Sequence, residues 1–186
     1  MKASVRTIHQ LVTQLEPVDA LESEHRDQVL RWLEGTDDVF RRQKPATPGM
    51  HLVSYAVLSD PQDGSSLLVD HLNARRWLPP GGHVEVDEHP ADTAAREVQE
   101  ELGVTAVFAD PAKAPAFVTV TETVGIDHGH TDVSLWFVLH GWRGMPMTVD
   151  LTEFRAARWW TAGEIAAAGP DVLDPHYQRF IGKAFG

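Results

Sequence analysis

The chain has 186 residues, 42% of them apolar, with six tryptophans, no cysteine and a formal net charge of −11. That length supports one domain with its own core and a terminal extension. The lack of cysteine excludes disulfides, thiolate zinc sites and a cysteine nucleophile. The negative charge argues against a surface for polymeric nucleic acid, although not against a nucleotide whose charge a divalent cation neutralises. No run approaches 18 apolar residues, so no membrane span is expected. The first residues are polar and amphipathic, unlike a secretion signal, and cytoplasmic residence is the default expectation.

In chain order, Ile8, Leu11, Val12 and Leu15 make a helical stripe that Pro17 interrupts. A second helix is expected from about Asp19 to Glu34, carrying Leu21, Val29, Trp32 and Leu33, with Gly35 at its end. Phe40 to Gly49, with two prolines and the charges of Arg41, Arg42 and Lys44, reads as a linker. Residues 1–45 are therefore expected as an N-terminal helical extension and 46–186 as the main domain. The extension supports the core, or else forms a homodimer contact or a lid over a substrate.

His51–Leu58 and Ser66–Leu72 read as strands joined around the turn at Asp60–Gly64. Trp77-Leu78 leads into a Gly-rich loop, Pro79-Pro80-Gly81-Gly82. A helix over residues 90–102 follows, with Pro90 at its first position and Gly103 past its end. Strands are then expected at Val104–Phe108, Ala116–Val124, Thr131–Trp142 and Ala156–Trp160, with a turn at Asp127–His130 and a loop at Gly144–Asp150. Helices are expected at Ala162–Ala168 and Asp174–Phe185. Strands on both sides of a central helix give an α/β sandwich.

On the central helix, Ala91, Ala94, Ala95, Val98 and Leu102 form an apolar stripe, and Glu97, Glu100 and Glu101 fall together on the far side. Like charges at this spacing repel, and three glutamates alone read as a solvated acidic face. Alone, the glycine pair reads as an ordinary turn. Together they offer carboxylates and bare backbone at one place, which suits a hard cation such as Mg²⁺ or Mn²⁺ and metal-bridged phosphate chemistry.

The spacing here is G-x5-E-x7-R-E-U-x-E-E-x-G-U, with U aliphatic. Gly82, Glu88, Arg96, Glu97, Val98, Glu100, Glu101, Gly103 and Val104 fill every fixed position over 23 residues. This resembles the Nudix box, and the flanking elements extend the resemblance over roughly residues 50–168. The resemblance implies a Nudix-type α/β/α sandwich with a mixed sheet. It also implies a hydrolase, MutT-like, that cleaves the pyrophosphate of a nucleoside diphosphate linked to another moiety, with Mg²⁺ or Mn²⁺ as cofactor. A silent Nudix-like nucleotide sensor and an interaction protein using the N-terminal helices are the alternatives. The intact glutamates argue against the sensor.

By the same resemblance Glu97, Glu100 and Glu101 are metal ligands and catalytic residues, with the Gly81 carbonyl a backbone ligand. Arg96 pairs with Glu88 to orient the site, and Arg96 and Gly82 are placed on the substrate side; His130, from its place at a strand entry and not from the resemblance, is a substrate-contact candidate. Glu153 is the general-base candidate and Glu122 the alternative. An alkaline pH optimum is expected if a water or carboxylate base limits the rate.

His128 and His130 lie two apart with Asp132 close by, but no further ligand stands near them, and turn or substrate-contact residues are the preferred reading. Tyr55, Trp77, Trp136 and Trp142 are core residues or base-stacking platforms. The substrate stays open. The downstream motif of NADH pyrophosphatases is missing, Val120 stands where the diadenosine polyphosphate subclass has Tyr, and Thr119 where the ADP-ribose subclass has Pro.

Overall fold

Strand β1 (Met50–Ser59) is apolar along nearly its whole length, as a strand covered on both faces must be. The computed structural model describes residues 1–43, 46–123 and 129–185. Residues 44 and 45 of the expected linker and the first half of the expected turn at 127–130, His128 included, lie outside the described residues.

Around β1 stand β2 (Ser66–His71), β3 (Arg76–Leu78), β4 (Gly81–His83), β5 (Phe117–Thr123), β6 (His130–His140) and β7 (Phe154–Trp160). They form one mixed sheet with the path β3-β2-β1-β6-β5. β4 adds to β1 and β7 to β2. The β1–β6 pairing is parallel and runs from Met50↔Thr131 to Ser59↔His140. The expected β1–β2 hairpin is present but pairs only at Ser59↔Ser66, because β4 occupies the β1 edge at Val53–Tyr55.

Helices α1 (Ala3–Thr13), α2 (Ala20–Gly35) and α3 (Pro90–Leu102) contribute to the larger apolar core with Leu52, Ala56, Val133 and Phe137. Helix α5 (Tyr177–Phe185) covers the other face. There Val57, Phe117 and Trp136 pack with Tyr177 and Phe180, joined by Ile165 of α4 (Ala162–Ala167). The sheet therefore carries helices on both faces, as the α/β/α expectation requires.

Three local expectations need correction. Residues 104–108 make no strand. One edge of β6 is already paired with β5 as far as Trp136, and only the remainder is free. The segment joins it through the single bridge Phe108↔Leu139, with His140 N donating to Val107 O at 2.7 Å. The Gly-rich loop is flanked by β3 and partly formed by β4. Gly81 and Gly82 are ladder residues facing Tyr55 and Ser54. On α2, Leu21 is exposed and Glu22 and His25 are buried instead.

Glu22 is buried because it has partners. Its Oε1 accepts from Lys183 Nζ at 2.7 Å and its Oε2 from Val18 N at 2.8 Å. Asp19 caps α2 through Glu22 N and also takes both ends of the Arg179 guanidinium, at 2.6 and 2.8 Å. The start of α2 is thus tied to α5. Lys183→Ala leaves the Glu22 carboxylate buried without its cation and is expected to destabilise the fold by about 3 kcal/mol. Urea unfolding of the variant beside the parent measures it, and an unchanged midpoint would show that this pair contributes nothing.

Candidate active site

Helix α3 is built to hold its ends still. Pro90 sits in the first turn, His89 Nδ1 accepts from Ala91 N, and Gly103 closes the helix in the left-handed region at φ 66°. Ala91, Ala94, Val98 and Leu102 are fully buried, so the helix lies flat on the sheet.

This seating overturns one expectation. Glu97, Glu100 and Glu101 do not share a solvated face. Only Glu100 projects, with 59% of its side chain exposed, whereas Glu97 is 14% exposed and Glu101 turns inward at 5%. A carboxylate is tolerated there because β4 offers backbone. Gly81 N donates to Glu101 Oε2 at 3.0 Å.

The two glycines explain how β4 comes so close. A Cβ on Gly82 would stand 2.4 Å from Glu97 Oε1, and one on Gly81 2.2 Å from the Ser54 carbonyl. Glu97 therefore lies directly against the bare backbone of Gly82, and Gly81 against that of β1.

Arg96 gathers the remaining acids. Nε and Nη2 donate to the two Glu88 oxygens at 3.0 Å each, and Nη1 donates to Glu97 at 2.8 Å and to Glu100 at 3.3 Å. Nη2 also donates to the His83 carbonyl at 3.3 Å. Thr93, buried on the same helix, donates to Glu88 Oε2 at 2.7 Å. Burial works against the Glu88 charge, but these bonds hold the carboxyl below its usual range.

Glu101 is in the opposite state. Burial pushes its pKa up to about 9, the Glu97 charge pushes the same way, and the Gly81 N–H only partly offsets them. Burial likewise raises Glu97, with Arg96 drawing it back. The charge of Glu153, just before β7, contributes to raising both glutamates. Glu122, exposed on β5 opposite Thr131, is not among those charges.

A carboxyl raised in the fold stabilises it most at low pH, and that contribution is lost as pH rises through the folded value. In the metal-free protein, stability is therefore expected to fall between pH 6.5 and 9, by up to about 1.4 kcal/mol per pH unit. The window starts above Asp174, a carboxyl raised to about 6, and above His83 and His176, both lowered to about 4; Glu97, raised by the same burial, acts in the same direction. Thermal melts in chelator across that window check it. A flat profile would place Glu101 in an ordinary, solvated state.

The donor set fits a hard divalent cation. It combines two nearly buried carboxylates, a third at the rim and exposed main chain at two glycines, and at neutral pH it holds a carboxyl that only a nearby positive charge would keep ionised.

His130 stands elsewhere, beside His51, His83 and Asp132. Trp136 is core, with Nε1 donating to Thr119 Oγ1 at 3.0 Å. Tyr55 packs edge-on to it, and Trp77 packs edge-on to Trp160. Trp142 is exposed and lines a shallow cavity with Asp60, Asp63 and Arg143, which contains none of the glutamates. Sequence reasoning missed Thr93 and Asp150. The latter donates its N–H to Glu101 O at 2.8 Å and adds to the charge around Glu101. The acid-bearing loop before Glu153 was the available signal for Asp150, and Thr93 carried none.

Residues 49–180 match the model of the NUDIX domain. A MutT-like protein of Streptomyces ambofaciens is 31% identical over 154 residues, covering 76% of this chain and 91% of that one. Two solved structures share the fold. The Escherichia coli dihydroneopterin triphosphate pyrophosphohydrolase has a TM-score of 0.57 at 18% identity, covering 78% of this chain and 97% of that one. A NUDIX-family hydrolase from Clostridium perfringens has a TM-score of 0.54 at 19% identity, covering 71% and 96%.

Proposed function

The chain belongs to the NUDIX domain family, whose hydrolases cleave pyrophosphate bonds in nucleoside diphosphate derivatives, and from that membership we propose a metal-dependent reaction on a small nucleotide, with a role for each site residue. The observation that carries the reading is the pair Glu97 and Glu101, sunk against Gly81 and Gly82, with Glu101 held un-ionised first by burial and then by the Glu97 charge.

In this reading Glu97, Glu100, Glu101 and the Gly81 carbonyl hold Mg²⁺ or Mn²⁺. When bound there, the ion would supply positive charge against the pyrophosphate and would lower the pKa of a water. The protein's part is to fix positions. Arg96 has every nitrogen engaged with acids or main chain, so it orients Glu97 and Glu88 and does not reach for substrate. Gly82 lets Glu97 lie close and Gly81 presents main chain. Glu153, exposed and near both glutamates, takes the proton from the attacking water as general base.

The substrate class is a nucleoside diphosphate linked to another moiety, whether a nucleotide, a nucleotide sugar or a modified nucleoside triphosphate. Among the described residues no helix is long and apolar enough to cross a membrane, and we place the enzyme in the cytoplasm. The N-terminal helices, residues 1–45, are read as support for the main domain, and a homodimer through them is the oligomer to look for.

A chromatographic screen for the cleaved phosphate esters and pyrophosphate tests the reading. The panel covers nucleoside triphosphates, oxidised nucleotides, nucleotide sugars, ADP-ribose and dinucleotides, each with Mg²⁺, Mn²⁺ or chelator. Turnover of one class only with the cation is expected. Equal turnover in chelator would overturn the metal assignment.

A further inference from the structure

His51, His83, His130 and Asp132 come from three neighbouring strands, and the register puts them on one face. His51 stands opposite Asp132 in the parallel β1–β6 pairing, and His83 stands opposite Val53 in the β1–β4 pairing. Residues opposite each other share a face, as do residues two apart on a strand, and this brings His130 in beside Asp132 and His83 in beside His51. Val57 and Trp136, of the same parity, pack under α5, whereas Leu52 and Ala56 pack on the α3 side. The group therefore lies on the opposite face of the sheet from the glutamates.

One ligand atom of each residue falls within 4.8 Å of the others. His51 is fully buried, and its Nδ1 lies 3.0 Å from the Pro48 carbonyl, a contact that needs a hydrogen on Nδ1. In a neutral ring the lone pair of Nε2 then faces Asp132 Oδ1, 3.1 Å away. Both atoms are buried, and among the described residues neither has a hydrogen-bond partner. His130 Nε2 points at the same oxygen from 3.4 Å, and its ring stacks on that of His51 with centroids 5.1 Å apart. Lone pairs on at least two buried atoms thus converge with nothing between them, which is the arrangement a cation relieves.

We propose that His51, His83, His130 and Asp132 form a site for a divalent transition metal of the zinc class, separate from the cation of the glutamates. Imidazole nitrogens with one carboxylate suit Zn²⁺ or Co²⁺, and Mg²⁺ takes oxygen ligands instead. Four protein ligands fill a tetrahedral shell and leave no position for a reacting water, so the metal fastens one end of β1, β4 and β6 to each other. Ligands about 2.1 Å from a tetrahedral metal stand about 3.4 Å apart, so binding draws the outer side chains inward. The Pro48 carbonyl fixes the His51 ring in the required tautomer. Arg41 Nη1 lies 3.1 and 2.6 Å from the two His83 ring nitrogens. It donates to the lone pair the metal needs, so metal binding displaces it.

The test uses the full chain, stripped with chelator and titrated with Co²⁺, then with Zn²⁺ in competition. With excess Mg²⁺ present to fill the glutamate site, one Co²⁺ per chain is expected, with the strong visible absorption of tetrahedral coordination, bleached by Zn²⁺. Saturating Zn²⁺ is expected to raise Tm by about 5–10 °C. Asp132→Asn and His130→Ala, checked for fold by circular dichroism, are expected to weaken binding at least 100-fold. Glu97→Gln and Glu101→Gln are expected to leave it intact, and Arg41→Ala to tighten it about tenfold. Absence of stoichiometric Co²⁺ binding would overturn the proposal, as would full affinity in Asp132→Asn or His130→Ala. Loss of binding in Glu97→Gln would assign the ion to the glutamate site and overturn it equally. Proton resonances showing His51 protonated on both nitrogens in Zn²⁺ would mean that a hydrogen fills the gap, and the metal site would again be overturned.

Discussion

Glu101→Gln is expected to lower turnover by about 10³-fold, or ~4 kcal/mol of barrier, while the metal-free protein becomes more stable. The two effects have one cause. Glu101 is buried, and its Oε2 accepts from Gly81 N at 3.0 Å, a bond that the amide oxygen of glutamine can keep. What the substitution removes is a charge that burial and Glu97 both oppose. In the presence of a cation that charge is a ligand, and its loss weakens the hold on the metal by several kcal/mol. In its absence the charge is a liability, and at pH 8 the variant is expected to gain about 2 kcal/mol over the parent. Steady-state kinetics in Mg²⁺ and melts in chelator measure the two. Full activity would remove Glu101 from the metal site, and a loss of stability at pH 8 would show that the amide cannot replace the acid in its hydrogen bond. The same variant should flatten the fall in stability between pH 6.5 and 9.

Alanine at Gly82 and at Gly81 should separate function from folding. The Cβ of Gly82→Ala meets the Glu97 carboxylate, the far end of a side chain that can swing aside. The fold should lose less than about 1 kcal/mol, whereas a ligand displaced by 1 Å costs activity about 10²-fold. The Cβ of Gly81→Ala meets the Ser54 carbonyl at 2.2 Å and the Tyr55 backbone at 3.0 Å. Main chain in the centre of a sheet cannot swing aside, and φ at this position is 154°. A destabilisation of about 3 kcal/mol is expected. Paired unfolding and activity measurements on both variants decide it. An active Gly82→Ala enzyme would mean that Glu97 has no fixed position in the reaction.

Much of this was legible in order along the chain. The helix 90–102 declared itself through Pro90, Gly103 and its alanine stripe, and the spacing of Gly82, Glu88, Arg96, Glu97, Glu100 and Glu101 pointed to the family and to cation chemistry before any coordinate. These are local features, set by 3.6-residue periodicity and by the backbone freedom of single residues. Burial and pairing were not legible in that way. Helical spacing put Glu101 with Glu97 and Glu100 on a wet face, but the width of the buried stripe depends on what the helix lies on, and β4 came close enough to enclose Glu101. Residues 104–108 had the composition of a strand, but only the end of the β6 edge beyond Trp136 was left to pair with, and they meet it through one bridge. His130 and Asp132 looked like turn residues without further ligands, because His51 and His83 are distant in sequence and adjacent only through the register of β1 with β4 and β6. The sequence by itself determined the family, the order of the main elements and the loop–helix unit that carries the glutamates. The tertiary structure alone decided which of them are dry, which are paired and which meet, since those depend on contacts between strands that no local pattern encodes.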